Sequence, residues 1–214
     1  MMVALLAGIP AIMLSAPLTC WLEFDRQAIL GGELWRLFTG HLTHWTFGHL
    51  CWDLLACLLA VGFLLVHRPK ALLPLALWSM LAVSLGVLLA DPEIAIYRGL
   101  SGVDTALFAY VAAALGLTAA RRGERRAAAW GVGLLCLIAV KILHEMGSGT
   151  CLFVDAATFI PLASAHLGGL LAGASYALAE RVLGASFVRR GLGMLGGGIK
   201  RLEATTQAVE FGQA

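Results

Sequence analysis

Two side chains in this sequence have the types and settings that acyl-transfer chemistry needs. One is the hydroxyl of Ser101, in the stretch Tyr97-Arg98-Gly99-Leu100-Ser101-Gly102-Val103-Asp104, where a polar loop enters a long apolar run. The other is the imidazole of His166, in Ala165-His166-Leu167-Gly168-Gly169. A serine hydroxyl attacks a carbonyl when a neighbouring base takes its proton. A neutral imidazole can take that proton and return it to a leaving amine. Taken singly, Ser101 also reads as a helix N-cap and His166 as a polar contact between helices. The chemistry therefore depends on whether separate segments bring the two to one depth.

The segments that must do so are apolar. Of 214 residues, 60% are hydrophobic and 13% charged, and the mean hydropathy is +0.86. That is too little charge to cover a soluble domain, so the chain reads as an all-α polytopic membrane protein. Residues 1–22, 71–90 and 156–179 carry no charge. Runs at about 49–66, 101–120 and 127–143 carry Asp53, Asp104 and Lys141. With about 20 apolar residues needed per span, six transmembrane helices are expected. The run 1–22 lacks a basic start and reads as a retained span, not a signal peptide. The expected division is a six-helix transmembrane domain over 1–183 and a cytoplasmic, Gly-rich and basic tail over 184–214.

Orientation follows from the basic residues. Arg68, Lys70, Arg121, Arg122, Arg125, Arg126, Arg181, Arg189, Arg190, Lys200 and Arg201 fall on one side, eleven of the fifteen. The positive-inside rule puts that side, and both termini, in the cytoplasm. The segment 23–48 is then an outer loop, too long for a tight turn and too apolar for a solvated linker. A re-entrant or interfacial structure is expected there, with Trp35, Arg36 and His41 at the interface. The run 71–90 reads as featureless and lipid-facing. Cys20 and Cys151, both near the outer surface, are within the scope of a disulfide.

In this topology the second, fourth and sixth helices share a direction. Ser101 lies at the outer mouth of its helix. His166 lies about 7 Å in from Pro161, and Asp53 about 6 Å beyond His49. Ionisable groups at such depths usually mark function. The N–H groups at the start of the fourth helix favour a developing oxyanion, and His49 could add a donor. Gly102 lets a peptide approach, and Gly169 and Gly173 let the sixth helix pack closely. His44 reads as a support for the outer loop. His41, His44, His49 and Asp53 also contain metal-ligand types, an alternative that leaves Ser101 unexplained.

These residues resemble the rhomboid intramembrane serine proteases. Gly99-Leu100-Ser101-Gly102 is similar to their Gly-x-Ser-Gly, and Ala165-His166 with Gly169 and Gly173 to their catalytic-histidine helix. Trp35-Arg36-Leu37 through His44 and His49 is similar to their first outer loop and second helix. His49-Leu50-Cys51-Trp52-Asp53 and the run Tyr97 to Asp104 look most like the rhombosortase branch. That branch is associated with bacterial envelope proteins bearing a C-terminal Gly-Gly motif, an apolar helix and a basic end.

The resemblance implies a Ser101–His166 dyad cutting membrane-anchored proteins near the periplasmic side of the inner membrane. His49, Asp53, Gly99 and Gly102 would support the oxyanion. No cofactor, metal or nucleic-acid partner is implied. The contrasting function is a non-catalytic rhomboid-like binder of transmembrane segments.

Two departures stand out. Asp53 occupies the place of a common Asn, so it must either be protonated and donate or hold His49 by a hydrogen bond. Thr105 occupies the place of a Tyr that stacks on the histidine. Something else must then fix that ring, and Asp104 is the nearest candidate.

Overall fold

Apolar runs become the long helices of the chain. The computed structural model describes residues 15–150 and 162–183. In chain order the elements are α1 (Ala16–Leu22), β1 (Phe24–Asp25), α2 (Arg26–Leu30), α3 (Arg36–Thr39) and a 3-10 turn over Gly40–Leu42. Then come α4 (Phe47–His67), α5 (Pro69–Ala90), β2 (Ile96–Tyr97), α6 (Ser101–Arg121) and α7 (Arg125–Ser148). A last helix, α8, covers 163–183. The fold is all-α apart from the two short strands. Those pair antiparallel, Phe24 opposite Tyr97 and Asp25 opposite Ile96.

Among the described residues, α4, α5, α6 and α7 are long and apolar enough to cross a membrane. Most of the expected first span, Cys151, Pro161 and the tail 184–214 lie outside the described residues. Cys20 carries a free, exposed thiol. The chain divides into units 1–177 and 178–214. Every candidate site residue lies in the first. The described part of the second, 178–183, is helical.

Helix α6 is the centre of the first unit: 50% of its most apolar stretch is buried, against 11% for α7. Small residues make this possible. Ala106, Ala109, Ala112, Ala113 and Ala114 are buried on it, so neighbouring backbones come close. A Cβ at Gly131 of α7 would stand 2.6 Å from Gly116 Cα, and one at Gly173 of α8 would stand 2.0 Å from the Ala106 carbonyl oxygen. At Gly169 the same atom would meet the Gly102 carbonyl oxygen at 2.0 Å. Glycine is what lets both helices seat against α6.

The segment before α4 is tied down by charge and hydrogen bonds. Arg26 donates to the carbonyls of Val87, Leu88, Asp91 and Ile94, satisfying the end of α5 with a cation as helix C-termini favour. Arg36, expected at an interface, is instead buried and bonded to the carbonyls of Cys20 and Glu23 and to Glu33. Its guanidinium satisfies backbone oxygens at the end of α1 and just beyond it.

Helix α5 also departs from its featureless reading. It buries Ser79, Val83, Ser84 and Val87. Val83 and Val87 cluster with Phe24, Leu37 and Tyr97, and Ser84 donates to the Leu37 carbonyl. A run apolar on all sides hides which side is buried, because its composition carries no stripe.

Helix α4 is capped by Thr46, whose side chain accepts from the His49 N–H at 3.0 Å. Helix α7 runs five residues beyond the apolar run that announced it and stops at Gly149, φ +68°. Lys141 and Glu145, one turn apart, pair at 2.7 Å and so continue the helix where hydropathy ends.

Candidate active site

The serine is delivered by a turn that only glycine can make. Gly99 has φ +130°, and a Cβ there would lie 2.8 Å from His49 Cε1. Both backbone and space demand glycine. Leu100 then takes the N-cap position, and Ser101 opens the first turn of α6. Ser101 is therefore not the cap it could have been. Its hydroxyl is left for other work.

Buried groups hold this turn from below. The Leu100 N–H donates to Asp53 Oδ2 at 2.7 Å. The same oxygen lies 3.1 Å from His44 Nε2 and 3.3 Å from His49 Nε2. Three nitrogens around one oxygen is the geometry of an acceptor, with His49 among its partners. The His44 and His49 rings meet edge to face at 5.1 Å.

On the other side, the Tyr97 hydroxyl donates to the Gly99 carbonyl at 3.2 Å, and His41 Nδ1 lies 3.3 Å from the same oxygen. His41, expected at an interface, is fully buried, with Nε2 3.0 Å from both the Met80 carbonyl and Ser84 Oγ. Burial holds its imidazole below the ordinary value despite the flanking carbonyls. Burial likewise pushes the Tyr97 phenol up, so it stays a donor. Arg98 pairs with Glu23 and sits 4.3 Å over the Trp45 ring, clamping the strand that leads in.

From this support Ser101 Oγ lies 3.0 Å from His166 Nε2, across the α6–α8 contact made by Gly169 and Gly173. His166 Nδ1 lies 2.7 Å from Glu145 Oε2. Lys141 Nζ donates to Glu145 Oε1 at 2.7 Å. Three helices meet at one imidazole. A hydroxyl bonded to an imidazole whose far nitrogen faces a carboxylate is the constellation of a serine acyl transferase or hydrolase.

Gly102, expected to admit a peptide, is enclosed instead: a Cβ there would lie 2.8 Å from Val83 Cγ1 and 3.0 Å from the Ala165 carbonyl oxygen. Its role is to let α5, α6 and α8 converge beside the serine. Asp104 is buried against the Cys57 thiol, and neither of its oxygens bonds to a nitrogen or oxygen. It does not fix the His166 ring. Thr105 gives its hydroxyl to the Ser101 carbonyl at 2.8 Å. Among the described residues no group of three or more His, Cys, Asp or Glu is placed to hold a metal ion.

Glu145 is the residue that sequence reasoning missed. The apolar run stopped at residue 143, so the acid fell at the outer end of the helix with no partner assigned to it. The available signal was Lys141, a cation inside a span with an acid four residues on.

Fold and site together define a multi-pass membrane protein with a part-buried hydroxyl–imidazole pair among its helices. The Rhomboid domain family matches residues 31–181, and the chain belongs to that family, the intramembrane serine proteases that act on membrane proteins within the bilayer. Among curated proteins, none matches the chain significantly.

Proposed function

We propose that the chain is an intramembrane serine endopeptidase whose nucleophile is Ser101 and whose base is His166. The observation that carries this is the 3.0 Å contact between Ser101 Oγ and His166 Nε2, made by groups on separate helices. As Oγ bonds to a substrate carbonyl carbon, its proton passes to Nε2 and the carbonyl electron pair moves onto oxygen. The N–H groups of the first turn of α6 face the growing charge, and the Asp53-anchored Leu100 keeps that turn rigid. His49, packed on Gly99 and held at Nε2 by Asp53, supports the oxyanion site by bracing the same turn. When the C–N bond breaks, the amine leaves with the proton from Nε2. Water, or another amine, then resolves the acyl-serine through the same base.

The chain is placed in a bacterial inner membrane with six spans, both termini cytoplasmic and the site near the periplasmic face. What supports this is the asymmetry of Arg and Lys between the apolar runs. The rhombosortase-like runs around His49–Asp53 and Tyr97–Asp104 favour anchored envelope proteins with a C-terminal Gly-Gly motif, apolar helix and basic end as substrates. A non-catalytic binder of transmembrane segments has no need of the hydroxyl–imidazole contact.

A fluorophosphonate probe tests the reading. Labelling of the wild type that disappears in Ser101→Ala supports it, and a folded wild type that stays unlabelled favours the binder. Deleting the gene should leave the clients' C-terminal anchors uncut.

A further inference from the structure

His166 can act as a base at Nε2 only when its ring proton sits on Nδ1. Thr105, one turn into α6, has its hydroxyl engaged with the Ser101 carbonyl at 2.8 Å. Something else must choose the tautomer. Two groups on α7 approach Nδ1, and they choose opposite ways. Lys141 Nζ lies 3.4 Å away and Glu145 Oε2 lies 2.7 Å away. An ammonium has donors only, so a lysine bonded to Nδ1 would leave the proton on Nε2, where it disables the base. A carboxylate can only accept there, which puts the proton on Nδ1 and leaves Nε2 open to Ser101.

The distances favour the carboxylate, and Lys141 is drawn off to the other carboxylate oxygen at 2.7 Å. Glu145 is almost completely buried, its side chain 1% exposed against 29% for Lys141. An acid at such depth in an apolar helix is costly unless it is paired and bonded on both oxygens. Here both oxygens are used, one by the lysine and one by the catalytic-base candidate. The close packing of Gly131 on Gly116 sets α7 near enough to α6 for this reach.

We infer that Glu145 is a positioning residue that makes the pair a triad, Ser101–His166–Glu145, spread over α6, α8 and α7. This rests on the serine-protease reading. Glu145 holds His166 in the productive tautomer and faces the imidazolium formed during attack. Lys141 is its counter-charge and, without it, a competitor for Nδ1.

The test uses the full chain in detergent with a fluorophosphonate probe. Glu145→Gln should lower the maximal labelling rate by about tenfold or more, toward the ~10⁴-fold loss known when a Ser-His-Asp carboxylate is neutralised, with the probe's apparent affinity little changed. Glu145→Asp should recover part of the rate. Glu145→Ala/Lys141→Met should label faster than Glu145→Ala, because the competing donor is gone. In the unsubstituted protein, ¹⁵N-histidine spectra assigned with His166→Gln should show His166 protonated on Nδ1, a readout that requires no variant of Glu145 to fold.

Wild-type labelling rates in Glu145→Gln, or a His166 proton on Nε2, overturn the inference. So does a double variant slower than Glu145→Ala. Absence of Ser101-dependent labelling in the wild type overturns the protease reading itself, an outcome distinct from labelling that ignores Glu145.

Discussion

Two groups of buried histidines sit on either side of the Gly99 turn, and they are put to different uses. His41, His44 and His49 lie among backbone carbonyls, Ser84 and Asp53, all of them parts of the scaffold. His166 lies between a serine hydroxyl at the start of a helix and a carboxylate on another helix. Burial is alike in both, since His41, His44, His49 and His166 are all nearly inaccessible. What differs is the partner of each ring nitrogen. An imidazole enclosed by fixed acceptors braces a loop, whereas one that meets a hydroxyl on one side and an acceptor on the other can move a proton.

This contrast can be broken most severely at the proton-moving side. Ser101→Ala or His166→Ala should abolish cleavage and probe labelling, on the ~10⁶-fold scale of removing one member of a catalytic unit, while thermal unfolding moves little. Residual activity near wild type in either variant would place the chemistry elsewhere.

The next largest effect belongs to the glycines that create the contact. Gly173→Val places a side chain where even a Cβ meets the Ala106 carbonyl oxygen at 2.0 Å. It should cost about 1–3 kcal/mol or more of stability and displace α8, lowering both the unfolding midpoint and the labelling rate. An unchanged midpoint would show that α8 does not need that approach.

On the bracing side, Asp53→Leu removes the acceptor of the Leu100 N–H and of two rings, and should cost about 1–3 kcal/mol with a large loss of activity. Asp53→Asn keeps an acceptor oxygen and should lose less. Equal activity of Asp53→Asn and wild type at every pH would show that the carboxylate as such is dispensable.

The smallest effect is at His41. Its folded-state value lies below the unfolded one because of burial, so the neutral ring favours the fold above the ordinary imidazole value of 6.5. That contribution is lost as pH falls from there toward the lowered folded value. The gap in unfolding midpoint between wild type and His41→Gln should therefore be wider at pH 8 than at pH 5. A gap that does not change with pH would mean the ring is not held neutral.

How much of this was legible in the chain depends on the range of each signal. The helices α4 to α7 follow from apolar runs, and the start of α6 at Ser101 follows from a short motif, because both are local. The buried roles of Arg36 and His41 were not legible. Each side chain reads as interfacial until the backbone carbonyls it satisfies are known, and those belong to residues 13 to 58 positions away. The reading of Gly102 failed for a similar reason: an open approach and a crowded one require the same residue.

By itself, then, the sequence determined that this is a membrane-embedded helical chain of the rhomboid kind, with a serine and a histidine as its reactive candidates. Hydropathy and motif spacing are properties of neighbouring residues, so no folding was required to read them. Only the tertiary structure decided that Glu145 faces His166, 21 positions on. That meeting depends on α7 and α8 both seating on α6 through glycines, and no local pattern records which faces of three helices will touch.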